Sequence, residues 1–112
     1  MKKNKDWTEK AVKVFISGKI TGEPIFECSY KFSDACGYIF GLQKEDQIIE
    51  VVNPLWLEGI YFGISHQEAM KICLEALKDC SHIFMLKDWK ESKGAMMEHQ
   101  FAMDNGIKII YQ

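Results

Sequence analysis

The sequence predicts an α/β domain: a doubly wound parallel sheet of four to five strands with helices on both faces. Three observations predict it. Apolar runs at Val12–Ser17, Ile48–Pro54, Ser81–Leu86 and Ile107–Tyr111 are near-continuously hydrophobic, as strands covered on both faces are. Helical periodicity fills the intervals, giving the order βαβαβαβ. Turn residues mark the joints, with Gly18 and Gly22 after the first run, Pro54 ending the second and Gly106 before the last. Parallel neighbours need long crossovers, and helices supply them.

The first strand, "VKVFIS", runs into the loop "GKITGEP". Residues 29–43, "SYKFSDACGYIFGLQ", follow as a helix, with Phe32, Ala35, Cys36, Ile39 and Phe40 at i, i+3, i+4 spacing. Gly37 and Gly41 weaken it, since glycine loses more chain entropy in a helix than alanine. The second strand, "IIEVVNP", stops at Pro54, which has no N–H to give a ladder. A loop rich in large apolar residues, "LWLEGIYFGI", leads to Ser65. "SHQE" reads as a capping box, in which Ser65 accepts the Glu68 backbone N–H and Glu68 reaches back. Ala69, Met70, Ile72, Cys73, Ala76 and Leu77 form the apolar stripe of the helix it opens. "SHIFML" is the third strand. The loop "KDWKES" then opens a helix from Lys93 to Asn105, with Gly106 where a left-handed residue ends it. "IKIIY" is the last strand.

With 112 residues, 47% apolar and 27% charged, the chain fits one globular domain. Its expected bounds are residues 12–112, behind a flexible tail at 1–11. A formal charge of -2 announces no basic surface, so polymeric nucleic acid is not an expected partner. Lys2, Lys3 and Lys5 cluster in the tail. No apolar run approaches the ~20 residues of a membrane span, so no membrane is expected as partner. The basic start, "MKKNKDWTEK", has no apolar segment behind it; a signal peptide is not expected, and the cytoplasm is the expected location. Cys28, Cys36, Cys73 and Cys80 form no CxxC pair and have no histidine at zinc-finger spacing. They read as reduced structural thiols; neither a metal nor a cofactor is expected.

Parallel α/β sheets bind ligands beyond the carboxyl ends of their strands, at the point where strand order reverses. Those ends are the loops 17–24, 53–64 and 87–93. In the first, "SGKITG", Gly18 and Gly22 allow close backbone approach, while Ser17, Lys19 and Thr21 offer donors. Such a loop can hold a phosphate on backbone N–H groups. It lacks the GxxxxGK[ST] pattern of a P-loop, and a plain tight turn explains it as well. In the second, Trp56, Tyr61 and Phe62 offer rings to stack on a nucleobase; packing, against the sheet edge or a second copy, is the plainer alternative. The third leads into a helix whose positions 94, 95, 98 and 102 share one face and read Gly94, Ala95, Glu98 and Ala102. Small residues there would leave a hollow beside Glu98, and the nearby helix N-terminus would favour its ionised form. Such a carboxylate suits attack on a sugar carbon, or a base role. An ordinary surface glutamate fits the same spacing. His66, His82 and His99 form no constellation, His99 pointing about 100° away from Glu98 around the helix. No GxSxG elbow is present.

"VFISGKITG" at 14–22, "VVNP" at 51–54 and "CSHIFMLKDWKESKGAMMEHQFAMDNGIKIIY" at 80–111 resemble the nucleoside 2-deoxyribosyltransferase superfamily, in its small phage and bacterial members. The subgroup most similar is a domain of unknown function, DUF4406, with a W-x-x-S-x-G-A-x-x-E signature that Trp89, Ser92, Gly94, Ala95 and Glu98 match. The resemblance covers nearly the whole chain after residue 12. It implies a flavodoxin- or Rossmann-like sheet, and a homodimer or higher homo-oligomer whose site a neighbouring subunit helps complete. It implies a small-molecule nucleoside or nucleotide ligand and cleavage of its N-glycosidic bond. Glu98 takes the place of the nucleophile that attacks C1′. Ser92, where transferases commonly carry Asp, takes that of a serine contacting the 5′-phosphate in the nucleotide N-hydrolases. Ser17, Gly18, Lys19 and Ile20 take that of their phosphate loop, with Gly94 beside it. Trp56 and Trp89 are the base-stacking candidates. Three positions depart from the pattern. Phe15 stands where a tyrosine often touches the nucleophile, Cys73 where an aspartate would protonate the leaving base, and Ser81 where an aspartate precedes the third strand. Asp88 is the candidate replacement acid. The implied function is hydrolysis of a 2′-deoxynucleoside 5′-monophosphate, or base exchange. The alternative is a nucleotide-binding protein that has lost turnover.

Overall fold

The computed structural model describes residues 10–61 and 63–112. The elements are β1 (Ala11–Ser17), α1 (Ile25–Phe40), β2 (Ile48–Val52), α2 (His66–Leu77), β3 (His82–Met85), α3 (Lys93–Asp104) and β4 (Lys108–Tyr111), with 3-10 turns at Pro54–Trp56 and Trp89–Glu91. The four strands lie in the order β2-β1-β3-β4, and every pairing is parallel. The sheet therefore grows outward from β1 in both directions, and the strand order reverses between β1 and β3. The register sets Phe15 opposite Val52 on one side and Ile83 on the other, and Ser17 opposite Met85.

Strand alternation divides the core in two. Val12, Val14 and Ile16 of β1, with Ile49, Phe84 and Leu86, pack against Cys28, Phe32, Ala35, Cys36 and Ile39 of α1. Phe15, Ile83 and Met85 point the other way, onto Cys73 and Leu77 of α2 and Ala95 and Ala102 of α3. One helix thus covers one face and two cover the other, the doubly wound arrangement expected from the sequence.

The helices begin and end where local chemistry dictates. Ser65 caps α2, its hydroxyl accepting the Glu68 N–H at 3.1 Å. Gly106 closes α3 at φ +71, a conformation only glycine adopts at little cost, and the Ile107 N–H then reaches the Ala102 carbonyl at 3.0 Å. The first helix differs from expectation. It starts at Ile25, behind Pro24 at φ -59, and stops at Phe40, not at residue 43. Proline's fixed φ and missing N–H suit a helix start. Phe40 is 48% exposed, one step of about 100° past Ile39 and off the buried stripe, whereas Cys28 lies on it. Ala11, assigned to the tail from sequence, belongs to β1; residues 1–9 of that tail, and Phe62, lie outside the described residues. No helix among the described residues is long and apolar enough to cross a membrane.

Candidate functional site

The carboxyl ends of β1 and β3 meet at the reversal point, and α3 passes over them. Ser17, the last residue of β1, is 1% exposed. Its hydroxyl donates to Glu98 Oε1 at 2.5 Å, across 81 positions of sequence. Glu98, in the second turn of α3, is itself only 6% exposed. The helix dipole led to the expectation of an ionised carboxylate; burial overrides it. Desolvation pushes Glu98 up to about 7, against the opposing hydrogen bonds from Ser17 and the Cys73 thiol. Cys73 is pushed up to about 12 by burial first and then by the Glu98 charge, so it stays a neutral thiol.

The small residues around Glu98 make no hollow. A Cβ on Gly94 would come within 3.1 Å of Met70 Sδ and 3.4 Å of His66 Cε1, both on α2. Ala95 and Ala102 are buried in the core shared with α2 and the sheet. Small side chains here let α2 and the sheet approach α3 closely, and that closeness buries Glu98.

A second cluster lies on the loop after β1. Asp88, just past β3, accepts the Lys19 backbone N–H on Oδ1 at 3.0 Å and the Lys31 ammonium on Oδ2 at 2.6 Å. The same ammonium donates to the Lys19 carbonyl at 2.8 Å and to Glu23 Oε1 at 3.2 Å. Burial raises Asp88, but the Lys31 and Lys19 hydrogen bonds outweigh it and hold the carboxyl below its ordinary value. Asp88 is therefore an acceptor in this arrangement and not the proton donor expected from its place in the loop. Lys31 loses some basicity to burial and regains more from Asp88 and Glu23, so its net shift is upward. Lys31 and Glu23 escaped the sequence reading. The available signal was a lysine three residues after Cys28 and four before Ala35, flanking the buried stripe of α1.

The remaining candidates sort by contact. Gly18 is buried, and a Cβ there would fall 2.6 Å from Leu86 Cδ1, so its glycine serves close packing of the loop on β3. Ile20 is 37% exposed, and its carbonyl closes the turn by accepting the Glu23 N–H at 3.1 Å. The Lys19 ammonium reaches outward to Glu23 at 3.9 Å and Glu91 at 4.0 Å. Ser92 caps α3, its oxygen accepting the Ala95 N–H at 3.0 Å, which leaves its hydroxyl proton to offer a ligand. One face of Trp89 is taken by His99, with ring centroids 4.2 Å apart, and His99 Nε2 is 2.7 Å from the Tyr111 hydroxyl. Trp89 is thereby a packing residue on that face. Trp56, on a turn that packs against β1, is 70% exposed. Ser81 is outside the site: its hydroxyl bridges the Lys13 N–H at 2.9 Å and the Lys13 carbonyl at 3.2 Å, roughly 13 Å along β1 from Ser17. Among the described residues no group of three or more His, Cys, Asp or Glu is placed to hold a metal ion.

Comparison with known proteins gives one match. A family model described as a domain of unknown function (DUF4406) covers residues 12–111. No curated protein and no solved structure matches the chain. The match takes in all four strands but the first residue of β1, all three helices and every site residue above, and the chain belongs to the DUF4406 family.

Proposed function

We propose that this protein cleaves the N-glycosidic bond of a 2′-deoxynucleoside 5′-monophosphate, with Glu98 as the nucleophile. The observation that carries the reading is the buried Glu98 carboxyl held by the Ser17 hydroxyl at the carboxyl end of β1, beside the reversal point. The likeness to the nucleoside 2-deoxyribosyltransferase superfamily supports it. In the first step a Glu98 oxygen bonds to C1′ as the C1′–N bond breaks, and the base leaves with the bond's electrons and takes a proton from solvent. Water then attacks C1′, releasing the sugar phosphate and restoring the carboxylate. The nucleophile must be ionised, so kcat/KM rises with pH through about 7 and levels off above it.

A second reading has its own observation. Neither candidate acid is a good one: Asp88 is held ionised by Lys31, and Cys73 sits at about 12. Without general acid help, worth typically 10²–10⁴-fold, the protein would bind a nucleotide and turn it over slowly or not at all. Incubation with a panel of deoxynucleoside monophosphates, followed by chromatography for free base, separates the two. Base release that disappears in Glu98→Gln supports the hydrolase. Binding seen as a raised Tm, with no base released, establishes the binding protein instead.

A further inference from the structure

We infer that Asp88 holds the place of the ligand's phosphate, and that Lys31 is the cation that binds that phosphate when Asp88 leaves. The inference rests on the nucleotide reading above and adds a ligand group that the sequence did not point to. A backbone N–H and an ammonium converging on one carboxylate is the donor set of an anion site. Here those donors are the Lys19 N–H at 3.0 Å and Lys31 Nζ at 2.6 Å, and the anion is a side chain of the protein.

Position supports the assignment. Lys19 is two residues beyond Ser17, whose hydroxyl holds Glu98. Consecutive Cα atoms are about 3.8 Å apart, so the Lys19 N–H lies within roughly 8 Å of Ser17, a separation comparable in scale to a sugar phosphate. A sugar with C1′ at Glu98 would thus carry its phosphate on the side of the strand end where the Lys19 N–H and the Asp88 carboxylate meet.

Charge makes the exchange obligatory. The cluster holds three carboxylates, Asp88, Glu23 and Glu91, against two ammonium groups, Lys19 and Lys31. One negative charge is already in excess, so a phosphate dianion enters only as Asp88 swings out. Asp88 can move because its side chain is 23% exposed at the rim of a loop. A dianion in its place gains more from Lys31 than a monoanion does. Asp88 is then an internal competitor that keeps the site closed to weak anions.

The test is titration with inorganic phosphate, a deoxynucleoside and its 5′-monophosphate, read by calorimetry and by the Lys19 amide resonance. In the wild-type protein the monophosphate is expected to shift the Lys19 amide and to bind more tightly than either the nucleoside or inorganic phosphate. Asp88→Asn is expected to bind the monophosphate on the order of tenfold more tightly, and Lys31→Met on the order of tenfold more weakly. Equal or weaker binding by Asp88→Asn overturns the inference and makes Asp88 a structural staple. A Lys19 amide unmoved by monophosphate in the wild-type protein overturns it without any variant, as does binding of inorganic phosphate with no gain for the monophosphate. Phosphate binding without base release leaves the inference standing and removes the hydrolase reading; base release with no effect of either substitution does the reverse.

Discussion

Replacing Glu98 with glutamine is expected to abolish base release and, at pH 8, to stabilise the protein by about 3 kcal/mol. The two effects have one cause. Glu98 titrates at about 7 in the fold against 4.5 ordinarily, because burial penalises its charge. The folded state thus binds the Glu98 proton more tightly than the unfolded chain does. Below about pH 4.5 both states hold that proton and Glu98 adds no pH dependence. Between 4.5 and 7 the unfolded chain has released it and the folded protein has not, so stability falls as pH rises; above about 7 the loss is complete. Glutamine keeps the shape and carries no charge, so the variant lacks this slope. Thermal melts from pH 4 to 8 check it, with a gap of roughly 10 °C expected at pH 8 and little at pH 4. Under the proposed chemistry Glu98 is the nucleophile, and its loss is expected to lower base release by on the order of 10⁴-fold or more, read by chromatography for free base. Under the proposed chemistry, such a result means that stability is traded for function at Glu98. A Glu98→Gln variant less stable than wild type throughout would mark Glu98 as a structural carboxylate.

Phe32→Ala is expected to cost about 3–5 kcal/mol. Phe32 is fully buried between α1 and the sheet, in the cluster of Val12, Val14, Ile16, Ile49 and Phe84. The vacated space cannot be closed by a neighbouring helix, because α1 covers that face alone. Denaturant unfolding checks the value, with the midpoint lowered and the slope unchanged. Phe32→Leu, which keeps most of the volume, should lose about 1 kcal/mol. The damage reaches the site as well. Lys31 Nζ lies 5.7 Å from the Phe32 ring centroid, so loosening this turn of α1 loosens the ammonium that fixes Asp88 and the Lys19 loop. Monophosphate affinity should fall along with stability.

Much of the fold was legible because its signals are local. Strands covered on both faces are apolar at most positions, so β1 and β3 are plain as runs. Ser65 and Gly106 marked helix ends because capping involves residues a few positions apart. The start of α1 is harder to read because Pro24 fits the end of a loop as well as the residue just before a helix, where it stands at φ -59. Phe40 was placed on the buried stripe because a run of apolar residues hides which one falls off the face. The site was legible in its members and not in its contacts. Ser17 and Glu98 were both singled out, yet their hydrogen bond depends on the strand order, which periodicity does not report. The Gly94–Ala95–Glu98–Ala102 face was read as a hollow, whereas small residues equally serve close packing, and only the position of Met70 and His66 decides between the two. The charge of Asp88 depends on Lys31, which lies 57 residues away on another element.

The four buried cysteines give this molecule a built-in clock for its own opening. Cys28 and Cys36 lie under α1, Cys73 under α2, and Cys80 between α2 and β3; all four are free thiols. Burial raises the pKa of each, to about 12 for Cys73 and Cys80, so none is a reactive thiolate in the folded protein near neutral pH. An alkylating reagent therefore meets them only when that part of the chain comes apart. The order of labelling shows whether the one-helix face or the two-helix face opens first. Cys28 also lies against the Lys19 carbonyl at 3.9 Å, which makes its rate sensitive to the loop proposed to close over the phosphate. A ligand held there should slow Cys28 more than Cys80, so the protein carries, in its own sulfur atoms, separate reporters for occupancy and for global unfolding.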